Sequence, residues 1–291
     1  MNTTMTSTKI CIKKAIALST ICVASVASSL TFGHTAFAQY GLGLPKSASS
    51  GGATRGDLPL LTVLAPEDGA KTLSSRPTFY WYIAPQNNET TTSTTIPQTD
   101  NGKSSVKVTF LLRDGAGRSA KSVFVAEGKA EGSGLYKFTL PENAPELVKG
   151  KLQRWQIRLQ ESGGQVDVSA PIRRDDDPVV LNALSSAKND LEKARVYAKN
   201  AYWYDAIDAY TSWLSKNPKD DVALTERSNL VKAGLNGNSA FKKIELNAEG
   251  KSILSTELDA AKLSNFLSKI DVIKSATSIL LQPKIVTKSP L

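Results

Sequence analysis

Cysteine, histidine and methionine are almost missing from this chain of 291 residues, which holds two, one and two of them. All five (Met1, Met5, Cys11, Cys22 and His34) sit at the N-terminal end. That end reads as an export signal. Lys9, Lys13 and Lys14 precede an apolar run from Ala15 to Phe32, and Ala36-Phe37-Ala38 is a small-x-small cleavage site, so residues 1–38 are expected to be removed. An uncleaved anchor helix is the competing reading, because the run approaches the ~18 residues that a span needs. Serine and threonine dilute the run, and Gly33 breaks it before the cleavage site. Cys22 follows Ile21, where a lipid-attachment site wants a small residue.

From Gln39 onward there is then no cysteine, histidine or methionine. In a monomer this excludes disulfides, thiolate or imidazole metal sites, Ser-His and Cys-His nucleophile pairs and histidine proton relays. Haem, blue-copper and iron–sulfur ligation go with them. Carboxylate pairs, Ser-Lys dyads and oxygen-ligated calcium stay open. We expect no cofactor and no metal. A basic stripe is also lacking: the full chain carries +9, and the charges are interspersed rather than blocked, at +4, −1 and +3 over residues 39–173, 174–238 and 239–291. Nucleic acid is therefore not an expected partner, whereas weak attraction to acidic polysaccharide or membrane surfaces is compatible with the charge.

What is present falls into zones. Residues 39–57 form a Gly/Ser-rich leader, read as flexible. Seven short β-branched and aromatic runs follow: Leu60 to Ala65, Thr78 to Ala84, Val106 to Leu112, Ser122 to Ala126, Leu135 to Leu140, Leu152 to Gln160 and Val166 to Ile172. Val106, Val108, Phe110 and Leu112 alternate at period two, as do Trp155, Ile157 and Leu159. Asp114 to Gly117 and Glu161 to Gly164 read as hairpin turns. The pattern predicts an α+β protein whose N-terminal antiparallel β-sandwich, of immunoglobulin or fibronectin type, spans residues 58–173. A polar, Thr-rich loop over 86–105 interrupts it.

Asp175-Asp176-Asp177-Pro178 lacks the alternating ligands and turn glycine of a calcium loop. It reads as a linker ending in a helix start, with Asp177 as N-cap and Pro178 at the first helical position. A small helical domain over 178–237 is expected to follow. Leu181, Leu184, Ala187, Leu191, Ala194 and Ala198 share one helical face, a turn near Asn200 leads to a second helix stopped by Asn217-Pro218, and a third runs from Asp220 to Leu235. Residues 238–291 are read as a helical or loosely ordered tail, with helical spacing at Leu263, Phe266, Leu267, Ile270 and Ile273.

Aromatic residues concentrate at two places. In Thr78-Phe79-Tyr80-Trp81-Tyr82-Ile83, Phe79, Trp81 and Ile83 fall on one face of a strand and Tyr80 and Tyr82 on the other. Core packing is the plain reading of these rings, and an outward sugar-stacking pair, Tyr80 and Tyr82, is the sharper one. Around the second helix, Trp203, Ala206, Ile207, Tyr210, Trp213 and Leu214 form an apolar face. Tyr202, Trp203, Tyr204 and Asp205 at its start are the remaining binding candidates, with Asp205 the best placed to be a buried acid. Ser185-Ser186-Ala187-Lys188 and Ser239-Ala240-Phe241-Lys242 match Ser-x-x-Lys but have no Ser-Asp-Asn or Lys-Thr-Gly companion, and we assign no catalytic residue.

Ala194, Tyr197, Ala206, Tyr210 and Pro218 stand at the spacing of a tetratricopeptide repeat, and the helix pair resembles a single such repeat. Trp213 departs from it, since a small residue is usual there. Gly51 to Gly56, Leu61 to Glu67, Arg76 to Tyr82, Leu140-Pro141, Leu147 to Lys151, Trp155 to Leu159 and Tyr202 to Ala206 together resemble domain of unknown function 928, an uncharacterised family of exported cyanobacterial proteins. The resemblance implies architecture and compartment and carries no activity. The reading that follows is an exported, non-enzymatic module of the periplasm, cell envelope or extracellular space, with no transmembrane span after signal cleavage. Its partner would be an envelope protein. A polysaccharide-binding protein and a carboxylate- or Ser-Lys-based hydrolase are the alternatives.

Overall fold

The computed structural model describes residues 40–44, 59–85, 105–117, 119–161 and 164–284, together with Met1. The expected signal, most of the leader and nearly all of the Thr-rich loop lie outside the described residues. In chain order the strands are β1 (Leu61–Val63), β2 (Ala70–Thr72), β3 (Thr78–Ile83), β4 (Ser105–Arg113), β5 (Ser122–Glu131), β6 (Gly134–Thr139), β7 (Leu152–Glu161) and β8 (Gly164–Arg174). Four helices follow: α1 (Pro178–Ser185), α2 (Asp190–Lys199), α3 (Trp203–Lys216) and α4 (Asp221–Leu235). The tail adds a hairpin of β9 (Lys242–Leu246) and β10 (Ser252–Leu258), then α5 (Ala260–Val272), β11 (Thr277–Ser278) and β12 (Gln282–Pro283). The protein is thus α+β.

One sheet has the order β1-β3-β6-β11, a second β12-β5-β4-β7-β8-β2, and among the described residues β9 and β10 pair only with each other. The alternating strands behave as their period requires. Val106, Val108, Phe110 and Leu112 of β4 and Trp155, Ile157 and Leu159 of β7 are all buried, and directly opposed pairs such as Phe110 and Ile157 share a face. Their rings meet those of the first sheet, since Phe79 of β3 lies 4.9 Å from Phe110 and 4.8 Å from Trp155, and Phe138 of β6 lies 4.9 Å from Phe110. The other side of β3 is covered too, by α3 and α5, so all six of its residues are buried.

Asp177 caps α1 as the sequence suggests, accepting hydrogen bonds from the Val179 and Val180 amides, with Pro178 in the first turn. The expected long helix after it is instead two. Asn189 takes the Glu192 amide at 2.9 Å while the Glu192 carboxylate takes the Lys188 amide at 2.8 Å, a capping arrangement that ends one helix and starts the next. The apolar spacing ran on through this break, yet Leu181 on α1 is left largely exposed and Ala194 on α2 is buried.

Three-residue β2 pairs parallel to β8, and β11 and β12 add to β6 and β5 respectively. None is long enough to show a period. The return of the tail across β5 needs Gly128, where a Cβ would stand 2.5 Å from the Leu280 carbonyl oxygen. Helix α5 buries Leu263, Phe266, Leu267 and Ile270, four of the five residues expected on its apolar face. No helix among the described residues is long and apolar enough to cross a membrane.

Candidate functional site

Helix α3 starts abruptly after Ala201, a non-glycine residue at φ +60°, and its N-cap, Tyr202, makes no capping hydrogen bond through its side chain. Successive helical residues point about 100° apart, so Tyr202 to Asp205 reach almost all the way round the helix. Each meets a different wall. The Tyr202 ring lies under the Lys71 ammonium, 4.7 Å from its centroid, and its hydroxyl faces Asp177 at 3.5 Å. Trp203 donates its indole N–H to the Leu64 carbonyl at 2.9 Å and sets its ring edge-on to Tyr40 at 5.3 Å. The Tyr204 hydroxyl accepts from the Trp155 indole at 2.7 Å and lies 3.4 Å from the Pro171 carbonyl. Asp205 accepts the Leu73 amide at 3.1 Å.

The two strand tyrosines join this seam from the other side. Tyr80 donates to Asp208 of α3 at 2.5 Å, and Tyr82 packs edge-on against Phe266 of α5 at 5.5 Å. Tyr80, Tyr82, Tyr202, Trp203 and Tyr204 are all 4% exposed or less. None has a free ring face to lay against a sugar. The aromatic residues singled out in the sequence therefore come together as the joint between strands and helices, and burial holds the hydroxyls of Tyr80 and Tyr204 well above the usual phenol range.

Asp205, in the same seam, has a displaced titration. Burial pushes its carboxyl up to about 6, against hydrogen bonds from Leu73, Thr72 and Ser74 that favour the charged form. Its oxygens close the turn between β2 and β3. Because the folded value lies above the unfolded one, the native state holds the extra proton between them. Asp205 therefore favours folding at low pH, and that contribution is lost as pH rises from about 4 through about 6. We expect the Asp205→Asn variant to flatten this part of the stability profile, altering its difference from wild type by ~1–3 kcal/mol between pH 4 and pH 7. Parallel profiles in urea titrations would refute this assignment.

Near Asp205, a cleft of about 330 Å³ is lined by Leu73, Lys149, Arg174, Asp175, Asp176 and Leu181. Its charges are already matched. Lys149 pairs with Asp176 and holds that carboxyl below the usual range, Arg174 reaches Glu146 at 3.6 Å, and Asp175 receives a two-pronged bond from Arg173. The two Ser-x-x-Lys serines are likewise engaged, Ser185 with the Asn182 carbonyl and Ser239 with Glu67 at 2.7 Å.

The surface feature that sequence reading passed over is the β9–β10 hairpin. Ile244 stands opposite Leu254 and Leu246 opposite Ser252, so Ile244, Leu246 and Leu254 share one face. They are 61%, 70% and 50% exposed, and Ile253 on the reverse face is 45% exposed. The hairpin is rooted in the core only at its base, where Phe241 and Ser255 are buried and the Asp259 amide bonds to the Phe241 carbonyl. Its tip had a legible signal. Asn247 accepts from the Glu249 and Lys251 amides, and Gly250 takes the positive φ of +70° that a bulged hairpin loop requires.

The family model described as Domain of Unknown Function (DUF928) matches residues 49–244. No curated protein matches the chain. The matched region contains the buried aromatic seam and stops inside β9, leaving the rest of the exposed hairpin beyond it.

Proposed function

The chain belongs to the family Domain of Unknown Function (DUF928), a description that assigns no chemistry, and from its surface we propose that it is a non-enzymatic protein-interaction module. In this reading it is exported to the periplasm, envelope or cell exterior, supported by the Lys9 to Ala38 signal pattern. Residues 58–173 form an immunoglobulin- or fibronectin-like sandwich, and α2 and α3 a tetratricopeptide-like pair docked on it. The observation that carries the proposal is the apolar face of Ile244, Leu246 and Leu254, held in solvent on a two-stranded ribbon. Such a ribbon is marginal in water until further strands or a packed surface cover it, and clustered apolar exposure marks interaction surfaces.

The test is a photo-crosslinking side chain at Leu246 in cells that make the protein. A discrete crosslinked polypeptide, lost when Ile244 and Leu254 are changed to serine, is the expected result. Recovery of polysaccharide without any crosslinked polypeptide would overturn the proposal in favour of glycan binding.

A further inference from the structure

The hairpin's own sequence points to a partner for its open edge. Strand β9 reads Lys242-Lys243-Ile244-Glu245-Leu246, and within its ribbon it has a neighbour on one side only. At the loop, the Asn247 amide bonds to the Lys251 carbonyl, so residue 247 turns its polar backbone atoms toward β10. Antiparallel ladders alternate, which directs the Glu245 backbone inward and the N–H and C=O groups of Ile244 and Leu246 toward the open edge. That edge is a pairing template.

We propose that β9 pairs antiparallel with β9 of a second copy of this chain, about a two-fold axis at Ile244, making a continuous sheet β10-β9-β9-β10. This rests on the interaction reading above and names its partner. Charge and strand length together decide the register, since centring on Leu246 would set Glu245 and Ile244 against Asn247 and Ala248 of the other copy, beyond its strand. Centred on Ile244, Lys243 of each copy faces Glu245 of the other, twice, and Lys243 already holds Glu257 at 2.6 Å on its own ribbon. Centring on Lys242, Lys243 or Glu245 would instead oppose like charges, and the last two would also turn inward-facing backbone groups to the edge. On the opposite face the two Ile244 side chains meet, with Leu246 beside them lying across from the aliphatic stem of the other copy's Lys242. The contact is self-complementary, as two-fold interfaces must be. It also lifts a two-stranded ribbon to four strands, past the three that an independently stable sheet needs.

The chain has no cysteine after residue 22, so Ile244→Cys is a clean reporter in the processed protein. Residues facing each other as a hydrogen-bonded pair have Cα atoms about 5.5 Å apart, within disulfide range. Mild oxidation of this variant is expected to give a covalent dimer. In sedimentation equilibrium the wild type is expected to dimerise, Glu245→Lys to weaken the dimer about tenfold, and the double exchange Lys243→Glu with Glu245→Lys to restore it. Unchanged melting curves would confirm that these exposed substitutions leave the fold intact.

A wild-type protein that stays monomeric at high concentration, yet crosslinks through Leu246 to a different polypeptide, overturns self-pairing and keeps the interaction reading. A monomer that crosslinks to no polypeptide overturns both. A dimer indifferent to Glu245→Lys overturns the register.

Discussion

Trp203→Ala is expected to lower the free energy of unfolding by ~3–5 kcal/mol, the range for emptying a large, fully buried aromatic site. The size of the loss depends on whether the neighbours can collapse into the space, and at this position they are poorly able to. On one side the ring lies against the backbone of α4 at Gly234, where even a Cβ would come within 2.2 Å of the indole. No side chain there can swing in to fill the gap. On the other side, removal of the indole N–H takes away the donor that Leu64 faces at 2.9 Å, inside the core. Tyr40, edge-on at 5.3 Å, loses the surface against which the segment before β1 packs. Because the core draws on strands and helices together, the loss should appear as one shifted urea transition, seen alike by far-ultraviolet circular dichroism and by tyrosine absorbance. Trp203→Phe retains most of the ring volume and should lose less. A midpoint unchanged by Trp203→Ala would sink the claim that α3 holds the structure together.

Arg227→Ala should cost a similar ~3–5 kcal/mol, for an electrostatic reason. Arg227 on α4 is 1% exposed, and its Nη2 donates to the Ile270 carbonyl at 3.0 Å and the Ile273 carbonyl at 2.9 Å, at the C-terminal end of α5. The Ile270 carbonyl also accepts the Ile273 amide at 3.0 Å, and both carbonyls lie at the negative end of the helix dipole. Asp271, beside them, takes the Ser228 hydroxyl at 3.0 Å and supplies the countercharge. Burial lowers the affinity of the guanidinium for its proton, and neither its Nε nor its Nη1 has a hydrogen-bond partner among the described residues, so the arrangement is desolvated without being fully compensated. Deleting the arginine leaves an uncompensated acid and takes a charged donor from both carbonyls. Replacing both charges with apolar groups, as Arg227→Met with Asp271→Leu, should recover a large part of the loss, because it removes the desolvation with the attraction. Hydrogen exchange at the last turn of α5 should report the single variant first. Equal stability of the alanine variant and wild type would refute the capping role.

These two residues differ in how visible they were beforehand. Trp203 stands in a run of aromatic residues at helical spacing, and spacing alone places it on a buried face. Arg227 stands three and four residues before Leu230 and Val231, on the same face, yet a single arginine in a helix ordinarily lies in solvent. Only the arrival of α5 explains its burial. Tyr80 and Tyr82 show the same limit. Alternation along β3 correctly divides its residues between two faces, but period two is silent on what covers the second face. That cover comes from α3 and α5, far along the chain. The break at Asn189 was legible as a capping pattern and was masked by apolar spacing that happens to continue through it. Strands β2, β11 and β12, with two or three residues each, exist only because a neighbour offers its edge.

The pairing of those last two strands has a consequence for how the chain acquires its structure during synthesis. β5 and β6 are complete by residue 139, but the strands that lie along them, β12 and β11, are not made until residue 283. A nascent polypeptide emerging N-terminus first must therefore carry two bare sheet margins through about half of its translation. The final closure is a long-range event, slow by the entropy of bringing such distant segments together. Holding those margins apart from other nascent chains until the tail arrives is a task for whatever factors attend the emerging polypeptide.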